Sequence, residues 1–301
     1  MIDSEKVSII IPTYKRQQYI ERAIKSCFEQ ISVDIEIIVI DDNGRNTDDQ
    51  IRMLKILQKY IDDGSIIYIA HEKNMKGSAA RNTGIRNATG KYVAFLDDDD
   101  WFENNKLRKQ IDAMKSTDSG ACLCGFRRIY ANKTVDNTPM INEQILSELL
   151  SFQLDTAAGS TLILKKEIAE AIGGFDESFI RHQDIEFIYR VAKATKICAI
   201  PEILCNIYIH QGHTVKQDPD YICNNRLHFV NTFINDFNTL DPNDRKNALN
   251  RHYTEIAKAY IKNFNFLKAA YWVTRTSNPI ICVKVIVHDA IVHFSEKWEA
   301  N

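Results

Sequence analysis

The sequence predicts an α/β fold: a mostly parallel sheet flanked by helices on both faces, with a C-terminal helical appendage. Three observations carry that prediction. Between residues 7 and 96, short β-branched and aliphatic runs alternate with segments of helical periodicity. Those runs are apolar throughout instead of alternating, as strands covered on both faces are. From Asp220 onward the pattern becomes mainly helical.

Residues 7–11 form a β-branched run closed by Pro12, and Ile20, Ala23, Ile24, Cys27 and Phe28 then recur at helical spacing. A second strand spans 35–40 and is broken by Asp41, Asp42, Asn43 and Gly44. A helix through Met53, Leu54 and Leu57 leads to a third strand at 66–70. Residues 77–88 read as a helix closed near Gly90, and a strand follows at 91–96. After about residue 115 the alternation loosens, with strands expected at 122–130 and 160–164 and a helix at 186–194. Beyond it, Ile222, Phe229, Val230, Phe233, Ile234 and Phe237 form one stripe. A second stripe runs through Leu249, Ile256, Tyr260, Phe264, Leu267 and Tyr271. A boundary is therefore placed near 218, giving a main domain over 1–218 and a helical region over 219–301. Residues 279–298 suit a helix with Ile280, Val283, Val287, Ile291 and Phe294 on one face, although their β-branched content also suits a strand. Packing on the preceding helices is the expected role, with peripheral membrane contact as the alternative.

Composition narrows the function classes. The chain has 301 residues, 45% of them hydrophobic and 26% charged, and 38 basic against 40 acidic residues leave a net charge of -2. No global field recruits nucleic acid, so no nucleic-acid partner is expected. Seven scattered cysteines show no zinc spacing or paired framework, and Cys122 and Cys124 alternate as packed strand neighbours do. The N-terminal residues lack a signal peptide's apolar core, and no uninterrupted apolar run reaches the roughly 18 residues of a membrane span. The expectation is a cytoplasmic protein, at most peripheral at the inner face of the membrane.

The chemistry sits in two acidic clusters, Asp41 with Asp42 and Asp97 through Asp100, each behind a different strand. Four adjacent carboxylates at the end of a buried strand repel one another and lose hydration, so positive charge is required there. A divalent cation meets that need, and oxygen donors favour Mg²⁺ or Mn²⁺. In a parallel sheet both clusters would line one crevice at its carboxyl edge. Between them, the small residues from Gly77 to Gly84 permit close packing, and Arg81 is a candidate phosphate clamp.

In order and spacing, these pieces resemble the inverting, nucleotide-sugar-dependent glycosyltransferases of family 2, which have the GT-A fold. The opening strand with Pro12, Thr13 and Tyr14 is similar to that family's first strand and donor-binding loop. The second strand with Asp41 and Asp42 looks like the strand whose later aspartate meets uracil, a role that falls on Asp42. Gly77 through Gly84, with Arg81 and Asn82, resembles the family's segment near the pyrophosphate. The run from Tyr92 to Trp101 resembles its metal motif, the DXD motif. By resemblance, Asp97 or Asp98 faces the ribose and metal waters, and Asp99 binds the metal.

Gly173 through Glu177, then His182, Gln183, Asp184, Glu186 and Arg190, resemble the family's acceptor-side motif. There a Glu-Asp pair precedes a helix and the aspartate is the base. Here Gln183 replaces the glutamate and Asp184 keeps the base position. His210 aligns with a histidine near the diphosphate and metal, His213 follows it, and Ile209 stands where the family usually has arginine. Trp101 and Phe102 are candidates for stacking on a sugar ring, with core packing as the other reading.

The resemblance implies a metal-dependent enzyme that moves a sugar from a UDP-sugar to a glycan hydroxyl, forming a β-glycosidic bond. The implied acceptor is a surface glycan under synthesis, free or lipid-linked, and the implied cofactor is Mn²⁺ or Mg²⁺. A catalytically silent sugar-nucleotide-binding module is the alternative. A phosphoacceptor signalling domain would use Asp41 and Asp42 but leaves Asp97 through Asp100 and Asp184 without a task.

Overall fold

The computed structural model of the chain describes residues 5–156, 159–210 and 218–299. It separates into two compact units, Met1–Leu146 with Leu154–Gln211, and Ser147–Gln153 with Gly212–Asn301.

The first unit is built on a nine-stranded sheet. Strands β1 (Val7–Thr13), β2 (Ile35–Asp41), β3 (Ile67–Ala70) and β4 (Tyr92–Phe95) are the four apolar runs. They lie in the order β3-β2-β1-β4 and are all parallel, so their carboxyl ends share one edge. Helices α1 (Ile20–Phe28), α2 (Asp48–Asp62) and α3 (Lys76–Asn87) make the crossovers. Thr47 starts α2 by accepting from the Gln50 amide at 3.2 Å. Helix α3 packs so closely on β1 that a Cβ at Gly84 would lie 2.3 Å from Ile10 Cγ2. Ile9, Ile11, Ile37, Val39, Ala94 and Leu96 are buried in the core beneath one face.

Beyond β4 the sheet is mixed. The chain continues through β5 (Trp101–Phe102), α4 (Lys106–Thr117), β6 (Ala121–Ile129), β7 (Thr134–Asn137), α5 (Ile145–Leu150), β8 (Ile163–Lys165), α6 (Lys166–Ala171), α7 (Gln183–Ala194) and β9 (Ile197–Tyr208). The order runs on as β4-β8-β6-β9-β5, with β7 beside β6. Strand β8 is antiparallel to both neighbours, whereas β6 and β9 are parallel. Cys122 and Cys124 pack in the core as free thiols, as their alternation predicted. The strand expected over 160–164 is shorter than read. Gly159–Thr161 is a 3₁₀ turn, because Ser160 is drawn into hydrogen bonds with Asp97 and Asp100.

The second unit contains α8 (Pro219–Thr232), α9 (Ile234–Thr239), α10 (Pro242–Lys262), α11 (Phe266–Arg275) and α12 (Pro279–Glu299). Neither expected stripe is one continuous helix. The first breaks at Phe233, and the second at Asn263, Phe264 and Asn265, where Phe264 takes a left-handed φ of 59°. Asn265 then caps α11 by accepting from the Lys268 amide at 3.2 Å. Ile256 and Tyr260 are buried, but Phe264 and Leu267 point to solvent. Residues 279–298 are helical, not a strand, and the helix packs on α10 and α11 as expected, but Ile280, Val283 and Val287 of the named face are exposed, while the side chains of Ile291 and Phe294 lie outside those described. Among the described apolar side chains of α12, Cys282 is buried. Among the described residues no helix is long and apolar enough to cross a membrane.

Candidate active site

The site lies at the carboxyl edge of the parallel strands. Because β1 sits between β2 and β4, its last residues are flanked by both acidic clusters. The Asp42 amide donates to the Thr13 carbonyl at 2.9 Å, and the Leu96 amide donates to that of Ile10 at 3.0 Å. A cleft of about 360 Å³ opens there. Pro12, Thr13, Tyr14, Asp42, Arg81, Asp97, Asp98 and Gln183, all named from the sequence, line it together with Arg16 and Lys76.

The two residues of the first cluster do different things. Asp41 is fully buried, accepting from Tyr68 Oη at 2.6 Å and from the Asn43 side chain at 2.7 Å. Burial pushes its carboxyl upward, against the hydrogen bonds of Tyr68 and Asn43. Asp42 holds the start of α3: its Oδ1 accepts from the Met75 amide at 2.7 Å and its Oδ2 from the Lys76 amide at 2.9 Å. His71 Nδ1 lies 2.8 Å from Asp42 Oδ1, and its Nε2 lies 3.0 Å from Thr83 Oγ1. Asp42 thus couples the end of β2 to the helix that carries Arg81.

The second cluster divides its four carboxylates among different partners. Asp97 accepts from Arg81 Nη2 at 2.6 Å. Asp98 accepts from Thr13 Oγ1 at 2.6 Å and from Arg16 Nη1 at 3.4 Å. Asp99 Oδ2 accepts from the same Arg16 nitrogen and lies 2.6 Å from His210 Nε2. Asp100 turns inward, accepting from Ser160 Oγ at 2.7 Å and from the Tyr208 amide at 3.1 Å. Burial is the main reason that Asp98 is pushed up to about 7 and Asp100 well above the usual carboxylate range. For Asp98, Thr13 and Arg16 oppose the shift while Asp99 and Asp97 add to it.

Asp184 approaches from α7. Its Oδ1 is buried without a hydrogen-bond partner and lies 3.9 Å from Arg81 Nη2. Burial raises its pKa, Arg81 opposes that and Asp97 reinforces it. Helix α3 arranges this approach through adjacent residues. Asn82 holds the turn before α7, accepting from the Phe175 amide at 2.7 Å and donating to the Phe175 carbonyl and to Glu177 Oε1, each at 2.9 Å. Arg190 fixes the same turn from α7, donating to the carbonyls of Ile172 and Gly174 at 2.7 Å while paired with buried Glu186. Gln183 accepts from Ser78 Oγ at 3.2 Å. A Cβ on Gly77 would lie 3.0 Å from Arg81 Nη1 and 3.1 Å from Gln183 Nε2, so a bare backbone keeps this wall open.

The structure therefore brings Asp42, Asp97, Asp98, Asp99 and Asp184 into one neighbourhood. Trp101 is on β5, where Arg22 covers its ring at 3.9 Å from the centroid; Phe102 is core. Arg81, read as a phosphate clamp, has its Nη2 committed to Asp97. His213 lies outside the described residues. Sequence reasoning missed Arg16, Arg22 and Ser160. Arg22 Nη2 donates to the Asp99 carbonyl at 2.5 Å. The demand for positive charge beside the acids was the pointer to the two arginines, and no sequence signal pointed to Ser160.

Among the described residues no cluster of three or more His, Cys, Asp or Glu side chains could hold a metal by itself. Asp99 and His210 nevertheless meet at one point, and a guanidinium already occupies a cation's position on Asp98 and Asp99. That donor set fits a hard divalent ion, provided a diphosphate and water would complete its ligands.

Residues 8–173 match the family described as "Glycosyl transferase family 2". Amylovoran biosynthesis glycosyltransferase AmsB of Erwinia amylovora is 29% identical over 69% of the chain and 74% of its own length. An uncharacterized glycosyltransferase of Rickettsia conorii is 27% identical over 78% of the chain, which spans only 38% of that relative. Among solved structures, S. aureus TarS 1-349 in complex with UDP-GlcNAc superposes with a TM-score of 0.60 at 16% identity, covering 89% of this chain and 90% of that one. The mannosyltransferase PcManGT from Pyrobaculum calidifontis, in complex with GDP-Man and Mn²⁺, gives a TM-score of 0.59 at 18% identity, covering 98% and 82%.

Proposed function

The chain belongs to glycosyl transferase family 2 and has a GT-A-type fold, and from that premise we propose a metal-dependent inverting transfer from a UDP-sugar to a glycan hydroxyl. The product is a β-glycosidic bond in a surface polysaccharide. One observation carries this reading: a single cleft is lined by the donor-side residues, and Asp184, with a buried unpartnered oxygen, stands 3.9 Å from the arginine that holds Asp97. The UDP-GlcNAc bound by TarS and the polysaccharide role in the name of AmsB support the choice of donor and acceptor class.

Each residue then has a physical task. Tyr14, exposed beside Pro12 and Thr13, offers a ring on which a base stacks. Asp42 uses its remaining lone pairs for the uracil N–H. Thr13 orients Asp98 toward the ribose. Asp99 and His210 would hold Mn²⁺ or Mg²⁺, which when bound neutralises charge on a leaving diphosphate. Asp184 takes the proton of the acceptor hydroxyl, and burial makes it a stronger base than an ordinary aspartate. The hydroxyl oxygen attacks the anomeric carbon from the face opposite the departing UDP, so one displacement inverts the centre. Gln183 positions the turn ahead of Asp184 without adding a second carboxylate. The exposed Ile280, Val283 and Val287 support peripheral membrane contact at the site of a lipid-linked acceptor.

The test is a donor screen. The protein is incubated with a panel of UDP-sugars and Mn²⁺, with and without EDTA, and UDP release is measured. Release abolished by EDTA is expected. Release indifferent to EDTA removes the metal, and UDP binding without release from any sugar donor identifies a silent module.

A further inference from the structure

We propose that the second unit carries a separate binding site for an anionic oligosaccharide. It is a cavity of about 670 Å³, larger than the cleft at the sheet edge and within the size range of small-molecule sites. Four cationic side chains, Arg226, Lys246, Arg251 and Lys258, line it against one carboxylate, Glu255. In a chain of net charge -2 that is a local reversal of sign.

The cations are held in different ways. Lys258 is neutralised by Glu255 at 2.7 Å and by Asp289. With the Gln153 amide turned so that its oxygen faces Arg251, that oxygen accepts from Arg251 Nη2 at 2.7 Å. Arg226 Nη1 lies 3.4 Å from Nδ1 of buried His252, whose Nε2 donates to the Leu150 carbonyl at 2.8 Å. That tautomer leaves the imidazole neutral and fixes the guanidinium through its lone pair. Lys246 is exposed at the rim. An anion entering here meets Lys246 and Arg251, whose charge is not cancelled by a carboxylate among the described residues.

The remaining lining selects a sugar. Asn243 and Asn247 present side-chain amides suited to sugar hydroxyl groups, whereas Asn250 Nδ2 donates to Ser277 Oγ at 2.6 Å and Thr254 Oγ1 to Cys282 Sγ at 3.4 Å. The aromatic ring in the lining, Phe152, packs against Phe229 and His252 with Arg226 over it, which disfavours base stacking. Phosphate and uronate groups share the required negative charge. This assignment rests on the transferase reading for its meaning, since it names the acceptor's chemical class.

Calorimetry on the full chain at low salt tests it with three probes: tetragalacturonate, a four-unit glycerol phosphate oligomer and neutral maltotetraose. At least one anionic probe is expected to bind, the neutral one not, and Lys246→Ala with Arg251→Ala is expected to weaken binding roughly tenfold. Which anionic probe binds distinguishes phosphate from carboxylate. UDP binding with Mn²⁺, measured on the same samples, is expected to be unchanged by the double variant. Failure of UDP binding would strike the transferase reading alone. No binding of either anionic probe, equal binding of maltotetraose, or an unaffected double variant that melts like the parent would overturn the proposed site.

Discussion

Arg81 Nη2 lies 2.6 Å from Asp97 Oδ1 and 3.9 Å from Asp184 Oδ1, so one buried guanidinium stands between a donor-side carboxylate and the proposed base. The spacing leaves Asp184 attracted but not captured. A base locked in a tight ion pair would hold its electrons on the arginine, whereas an unpartnered oxygen can take a proton. Asp184→Asn is therefore expected to lower the transfer rate by roughly 10²–10⁴-fold while leaving UDP affinity within about twofold. Steady-state kinetics beside calorimetry checks both; equal loss of binding and rate would make Asp184 a structural residue.

Arg16 answers the repulsion between Asp98 and Asp99. Its removal should leave two buried carboxylates short of a counter-charge. Arg16→Ala is expected to lose on the order of 1–3 kcal/mol, seen as a melting point a few degrees lower without divalent ions. Mn²⁺ should restore much of that loss. A variant that melts like the parent, or one indifferent to Mn²⁺, contradicts a shared cation position.

Asp98 gives a pH dependence. Its folded pKa is raised from 3.8 to about 7, so the folded state binds this proton more tightly than the unfolded chain does. Its contribution therefore falls as pH rises from about 4 through about 7. Asp98→Asn keeps an acceptor for Thr13 without the charge. Without metal it should raise stability by on the order of 2–4 kcal/mol at pH 8, and by much less near pH 4.5. Thermal melts at both pH values decide, and an equal gain at each would point to packing instead.

Asn82 ties α3 to the turn ahead of α7. Asn82→Ala strands the buried Phe175 amide and carbonyl, at about 2–3 kcal/mol. The melting temperature should drop, and transfer rate should fall further than UDP affinity because Asp184 loses its support. Denaturant titration and kinetics on one preparation test this.

The parallel half of the sheet was legible because β1, β2 and β4 are short apolar runs that admit few other readings. Asp42 and Asp98 came together because the sheet's parallel order puts their loops at one edge, whereas Gln183 is brought in at the start of α7 by contact with α3. The charge problem at Asp97 through Asp100 was legible, but its protein-borne answer was not. Arg16 reaches the acids from the loop after β1, Arg22 from α1 and Arg81 from α3, all outside the acidic segment, and no local periodicity marks them. The stripes of the second unit misled for a related reason. Phe264 and Leu267 fit helical spacing, yet a left-handed residue at Phe264 resets the phase and turns both outward. Burial depends on where a helix ends as much as on its repeat.

The central claim is that this acid-lined cleft grips a diphosphate through a cation. Calorimetric titration of UDP into the parent protein and Asp99→Asn, each with Mn²⁺ and with EDTA, tests it most directly. The parent should bind UDP at least about tenfold more tightly with Mn²⁺ than with EDTA, and Asp99→Asn should lose that difference. Equal affinity in Mn²⁺ and EDTA for the parent would contradict the claim.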